Sequence, residues 1–139
     1  MIEKKTIIKA CELAKDQLME THVIGPQEQF VELSLSAMYR NGSVVEVFIY
    51  PDPENNNKVI VGDDGDISNL QLLTIEEIET ICKRCGLKHN YLDDSYEFPY
   101  RCEIYTVVPL NKIGRAVLKI LEAVRYSYLA KEGERVDNS

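Results

Sequence analysis

The chain has 139 residues, 45% hydrophobic and 28% charged, the size and balance of one soluble globular domain able to bury a core. Acidic residues outnumber basic ones, 23 to 16, for a formal charge of −7; this argues against a surface built for nucleic acid, since phosphate neutralisation needs clustered Lys and Arg. No apolar run approaches the ~20 residues of a membrane span, and the charged start "MIEKKTIIKACELAKDQ" lacks a signal-peptide core, so the expected location is the cytoplasm, where four cysteines stay reduced.

Residues 3–20 read as a helix, because Ile7, Cys11, Ala14 and Leu18 form one apolar stripe. "HVIGPQEQ" breaks the pattern, with Gly25-Pro26 as punctuation. In "FVELSLSAMY" the residues Val31, Leu33, Leu35, Ala37 and Tyr39 alternate with Glu32, Ser34, Ser36 and Met38, which predicts a strand with one buried face. Asn41-Gly42 then signals a type I′ hairpin, with 44–50 as the antiparallel return. "PDPENNN" is a polar loop, and 58–61 make a third strand.

"TIEEIETICKRCG" predicts a second helix, with Thr74 as N-cap, Glu77 at the capping-box spacing and Gly86 as the residue that ends it. Extended segments follow near 88–92 and 100–107, around the turn "DDSYEFP". Ile113, Val117, Ile120, Leu121, Val124 and Tyr128 stripe a last helix over 111–130, and "KEGERVDNS" is a polar, frayed tail. The domain is therefore 1–130, with 131–139 as tail and no internal repeat. The order α-β-β-β-α-β-β-α, with tight turns between successive strands, predicts an α+β fold: a mainly antiparallel sheet of about five strands with three helices on one face.

The candidate sites are few. Cys82 and Cys85 form a CxxC, but at a helix C-terminus, where the dipole disfavours a thiolate. They share a stripe with Ile75 and Ile78, so both sulfurs read as core; a zinc site would need His89 and Cys102 as well. His22 and His89 are the only histidines, and neither sits in a hydrolase signature. No phosphate-cradling glycine loop is present. Lys83, Arg84, Lys88 and Arg101 read as a solvated face. Tyr91, Tyr96, Tyr100 and Tyr105 crowd the second extended region and suit either sheet packing or a protein interface.

"KVIVGDDGDISNLQ", residues 58–71, holds the densest group of acids. Asp63, Asp64 and Asp66 around Gly65 do not follow the EF-hand spacing. A tight turn explains them, since Asp and Gly tolerate turn dihedrals and an Asp carboxylate can bond amides two residues on. A functional acidic site, with Glu46 reaching from the neighbouring strand, stays open beside it.

"VIVGDDGDISNL", "CGLKHNYLDD" and "IGRAVLKILEAVRYSYLA" together resemble domain-of-unknown-function family 1828, small bacterial and prophage proteins with a strand running into an Asp-Asp-Gly turn. The resemblance covers roughly residues 30–130. It departs at Gly62, where the family tends to have Ser or Thr. It implies a phage or mobile-element setting and transfers no catalytic activity. The expected function is a non-enzymatic protein-binding modulator without cofactor, working on a protein partner and plausible as a homodimer. Its contacts would be Asp63, Asp64, Asp66, Tyr91, Tyr96 and Tyr100. The alternative is a metal-dependent hydrolase of nucleic acid or nucleotides through Asp63 and Asp64, with perhaps Glu46.

Overall fold

The structure, a computed structural model, describes residues 2–15, 22–27, 30–92 and 97–137. Its elements are α1 (Lys4–Lys15), β1 (His22–Gln27), β2 (Phe30–Met38), β3 (Val44–Pro51), β4 (Lys58–Gly62), α2 (Asp66–Leu70), α3 (Ile75–Cys85), β5 (Lys88–Tyr91), β6 (Cys102–Pro109) and α4 (Ile113–Asp137). The strands make one sheet in the order β1-β2-β3-β4-β6-β5. Every pairing in it is antiparallel. The fold is α+β.

Strand alternation decides which side chains meet the helices. Val31, Leu33, Val45, Val47, Ile49, Val59, Val61, Cys102 and Ile104 are buried. They join Ile7 and Cys11 of α1, Ile78 and Cys82 of α3, and Ile113, Val117, Ile120 and Val124 of α4 in a single core. The helices therefore lie on one face of the sheet. Removing apolar surface from water contributes roughly 25 cal/mol per Å², which makes this burial the main stabilising term.

Three local features depart from the sequence expectation. Residues 22–27, read as a break, form strand β1, because its register with β2 shifts between Ile24 and Pro26. A bulge on an edge strand is where a proline fits without breaking a ladder bond. The β2–β3 connection is not a type I′ turn. Gly42 has φ 87 while Asn41 is not among the positive-φ residues. The Gly42 amide donates to the Tyr39 carbonyl, and the Tyr39 amide to the Ser43 carbonyl, the three-residue hairpin with glycine in the left-handed position. Finally, α4 continues to Asp137, past the expected end near 130. Glu, Lys and Arg are good helix formers, so polarity alone does not stop a helix. Lys131 is also tied to Glu77 of α3 at 2.7 Å.

The α3 termini follow the sequence. Thr74 accepts from the Glu77 amide while the Glu77 carboxylate accepts from the Thr74 amide, and Gly86 closes the helix at φ 67. The expected first helix is described only to Lys15; residues 16–20 of that expectation lie outside the described residues.

Candidate functional site: the acidic turn and the open sheet face

The turn after β4 is built around Asp63, which is fully buried. Its Oδ1 accepts from the Gly65 amide at 3.0 Å and from the Ile104 amide at 2.8 Å. Its Oδ2 accepts from the Ile67 amide at 2.8 Å. One carboxylate thus holds the turn, the first residues of α2 and the neighbouring strand β6. Burial raises its pKa from 3.8 to about 7, against the pull of the three amide donors. Asp64 takes φ 57 and Gly65 φ 84, which let the chain reverse. Ser68 of α2 fastens the same corner: its hydroxyl accepts from the Cys102 amide at 2.9 Å and donates to the Tyr100 carbonyl at 3.0 Å.

Asp63 is accordingly removed from the expected surface contacts. It has no exposed area, and both its oxygens are engaged. Asp64 is exposed, with Arg101 donating to its carbonyl at 2.9 Å. Asp66 is half-buried; burial and the charges of Asp64 and Glu46 raise its pKa to about 6, while Arg101 opposes them.

The face of the sheet away from the helices gathers the remaining acids. Glu32 and Ser34 of β2, Glu46 and Phe48 of β3, and Glu103 and Tyr105 of β6 alternate with core residues and are half-buried. Phe48 faces Gly62, and Gly62 faces Tyr105. Asp64 follows in the turn after β4, and its charge reaches Glu32 and Glu103. Burial, then the neighbouring charges of Glu46 and Asp64, raise the Glu32 pKa. Burial also raises that of Glu103, and Asp64 adds to it.

Gly62 has a specific part in this face. Its position carries no side chain, and a Cβ there would lie 3.1 Å from the Tyr105 Cβ and 3.3 Å from the Glu103 Cγ. The bare backbone lets the Tyr50 hydroxyl, from two positions along β3, donate across the sheet to Glu103 at 2.9 Å. A side chain at this position would need Tyr105 and Glu103 to give way. Next to this pair lies a groove of about 1040 Å³ bounded by Phe30, Tyr50, Asp64 and Glu103, with Ile2 and Pro51 at its other end.

The tyrosines divide. Tyr91 stacks edge-on against Tyr100, and Tyr100 against Phe98, with ring centroids 6.0 Å apart in each pair. Tyr91 and Tyr100 are half-buried against the core, and Phe98 is exposed. Tyr96 lies outside the described residues. The cysteines Cys11, Cys82, Cys85 and Cys102 are free and buried, and burial pushes the Cys82 thiol up to about 12, so it stays protonated at neutral pH. Among the described residues no three His, Cys, Asp or Glu side chains converge as a metal site, and no helix is long and apolar enough to cross a membrane. Arg84 of the expected basic face lies over the Tyr126 ring, 4.6 Å from its centroid.

Glu32, Glu103 and Tyr50 were not among the expected contacts. The signal for them was present: each is an outward position in a strand of alternating polarity. No family model, no curated protein and no solved structure matches the chain, so the resemblance to family 1828 rests on the quoted segments.

Proposed function

We propose that this protein acts without catalysis, as a modulator that binds a protein partner through the open face of its sheet. The observation behind this reading is that face itself. It combines aromatic side chains, Phe30, Phe48, Tyr50 and Tyr105, with the carboxylates of Glu32, Glu46, Asp64 and Glu103. Aromatic side chains give contact area at low entropy cost. Carboxylates gathered on one face favour a positively charged surface opposite them. The resemblance to family 1828 supports a mobile-element setting, in which occupying another protein's surface is a sufficient activity.

The alternative, a metal-dependent hydrolase using Asp63 and Asp64, has less in its favour. Both Asp63 oxygens already accept backbone amides, so ligating a metal would strip the turn of its support. The two readings separate in one experiment. Wild type and a Glu46→Lys/Asp64→Lys variant are immobilised and exposed to host cytosol. A discrete protein retained by wild type and lost from an equally stable variant is the expected result. Equal retention by both, or magnesium-dependent nucleotide hydrolysis by wild type, would count against the binding reading.

A further inference from the structure

We propose that the open sheet face receives an arginine-bearing segment of its partner, with a guanidinium seated in the groove beside Tyr50 and paired to Glu103. This rests on the protein-binding reading and names the chemistry of the occupant.

Three observations lead to it. The first is the layout of charge. Glu46 lies on β3, Asp64 in the turn after β4 and Glu103 on β6, and neighbouring strands are about 4.8 Å apart. The row is too spread for one ion, and among the described residues no three such groups converge. It matches instead a segment that delivers cations one after another. The second is the groove. Its lining includes the rings of Phe30 and Tyr50, the carboxylates of Asp64 and Glu103, and Glu3, Lys4 and Lys5, of which Lys5 pairs with Glu3 at 3.3 Å. An aromatic wall beside a carboxylate suits a planar guanidinium, which stacks on a ring and pairs through two parallel N–H donors. A lysine ammonium makes only the point-charge contact. The third is Tyr50 itself. Its hydroxyl donates to both Glu103 oxygens, at 2.9 and 3.0 Å, and so holds the carboxylate in place over Gly62.

The charge balance of the face agrees. Arg101 donates to the Asp64 carbonyl at 2.9 Å and pairs with its carboxylate at 3.5 Å. Glu32, Glu46 and Glu103 face outward with like charges for neighbours.

The test uses dye-labelled hexa-arginine and hexalysine as probes, with fluorescence anisotropy at low and at 0.5 M salt. Wild type is compared with Glu32→Gln/Glu46→Gln/Glu103→Gln and with Glu12→Gln/Glu79→Gln/Glu97→Gln, which removes the same charge from exposed positions elsewhere. The expected result is at least about tenfold weaker hexa-arginine binding for the face variant. The control variant should stay within about twofold of wild type, and hexalysine should bind several-fold more weakly than hexa-arginine. Equal losses in both variants would overturn the proposal, because binding would then follow net charge. Equal affinity for the two peptides would overturn the guanidinium assignment. Should the triple variant melt early, Glu46→Lys alone provides the same comparison. If the probes fail to discriminate while a host protein is still captured, the arginine inference falls and the binding reading stands. If no host protein is captured, the binding reading falls and the inference that rests on it falls too, even where the probes discriminate.

Discussion

Replacing Asp63 by Ala should unfold the corner of the molecule from which the open face is hung, and the size of the effect should depend on pH. The substitution removes the acceptor of three amides, those of Gly65, Ile67 and Ile104, which stay away from water. Each buried donor left without a partner costs about 1–3 kcal/mol, so the gross loss is roughly 3–9 kcal/mol, a large part of a typical domain's stability. A second effect opposes it. The folded-state pKa of Asp63 is about 7 against 3.8 when free. Between those values the folded protein still holds the proton that the unfolded chain has released. Stability from this group is therefore full below the unfolded pKa and falls as pH rises toward the folded one. Over three units that amounts to roughly 4 kcal/mol. The alanine variant is free of this penalty.

The Asp63→Ala deficit should accordingly be larger at pH 5 than at pH 8, by roughly 3 kcal/mol, from the same linkage. Asp63→Asn keeps one oxygen for Gly65 and Ile104 but turns its amide toward the Ile67 amide, so at pH 5 it should lose about 1–3 kcal/mol, less than alanine. Urea unfolding followed by circular dichroism at both pH values gives these numbers, each variant measured against wild type so that other titrating groups cancel. A deficit under about 0.5 kcal/mol at pH 5, or one that grows toward pH 8, would refute the assignment of Asp63 as the buried holder of the turn.

Other substitutions test the rest of the account. Asp64→Asn, at an exposed position whose φ of 57 suits Asn, should change stability by no more than about 0.5 kcal/mol in the same assay. Gly62→Val should destabilise by about 1–3 kcal/mol, because its Cβ meets Tyr105 at 3.1 Å; a neutral result would show that Tyr105 and Glu103 yield freely. Leu72 ends α2 at φ 55 with its side chain half exposed, and the Leu73 amide donates to the Ser68 carbonyl at 3.0 Å, the bonding of a glycine-ended helix. Leu72→Gly should therefore be neutral or stabilising by up to about 1 kcal/mol, and a thermal melt that drops by several degrees would contradict this. Glu77→Ala removes both the capping-box acceptor and the partner of Lys131 and should cost about 1–2 kcal/mol.

Much of this architecture was legible because alternation and capping are local signals. The buried face of β2, the capping box of α3 and Gly86 follow from a few adjacent residues each. Strand β1 was not legible, since Gly25-Pro26 carries the same punctuation whether it ends a segment or bulges an edge strand. Asn41-Gly42 fits both a two-residue type I′ turn and the three-residue loop found, which takes in Arg40 and leaves Asn41 outside the positive-φ region. Asp63 and Asp64 look alike in sequence. What separates them is the segment about forty residues on, where the Ile104 amide of β6 claims Asp63 and Arg101, just before the strand, meets Asp64. The partnership of Tyr50 with Glu103 likewise depends on the β4–β6 pairing and on the missing side chain at Gly62.

The open face as the working surface is tested most directly by photo-crosslinking in host cells. A benzophenone amino acid replaces Phe48 on that face in one variant and Leu118, exposed on α4, in another. The account predicts a discrete protein adduct from position 48 that is absent at position 118 and suppressed by Glu46→Lys. An adduct from position 118 alone, or one from position 48 that Glu46→Lys leaves unchanged, would contradict it.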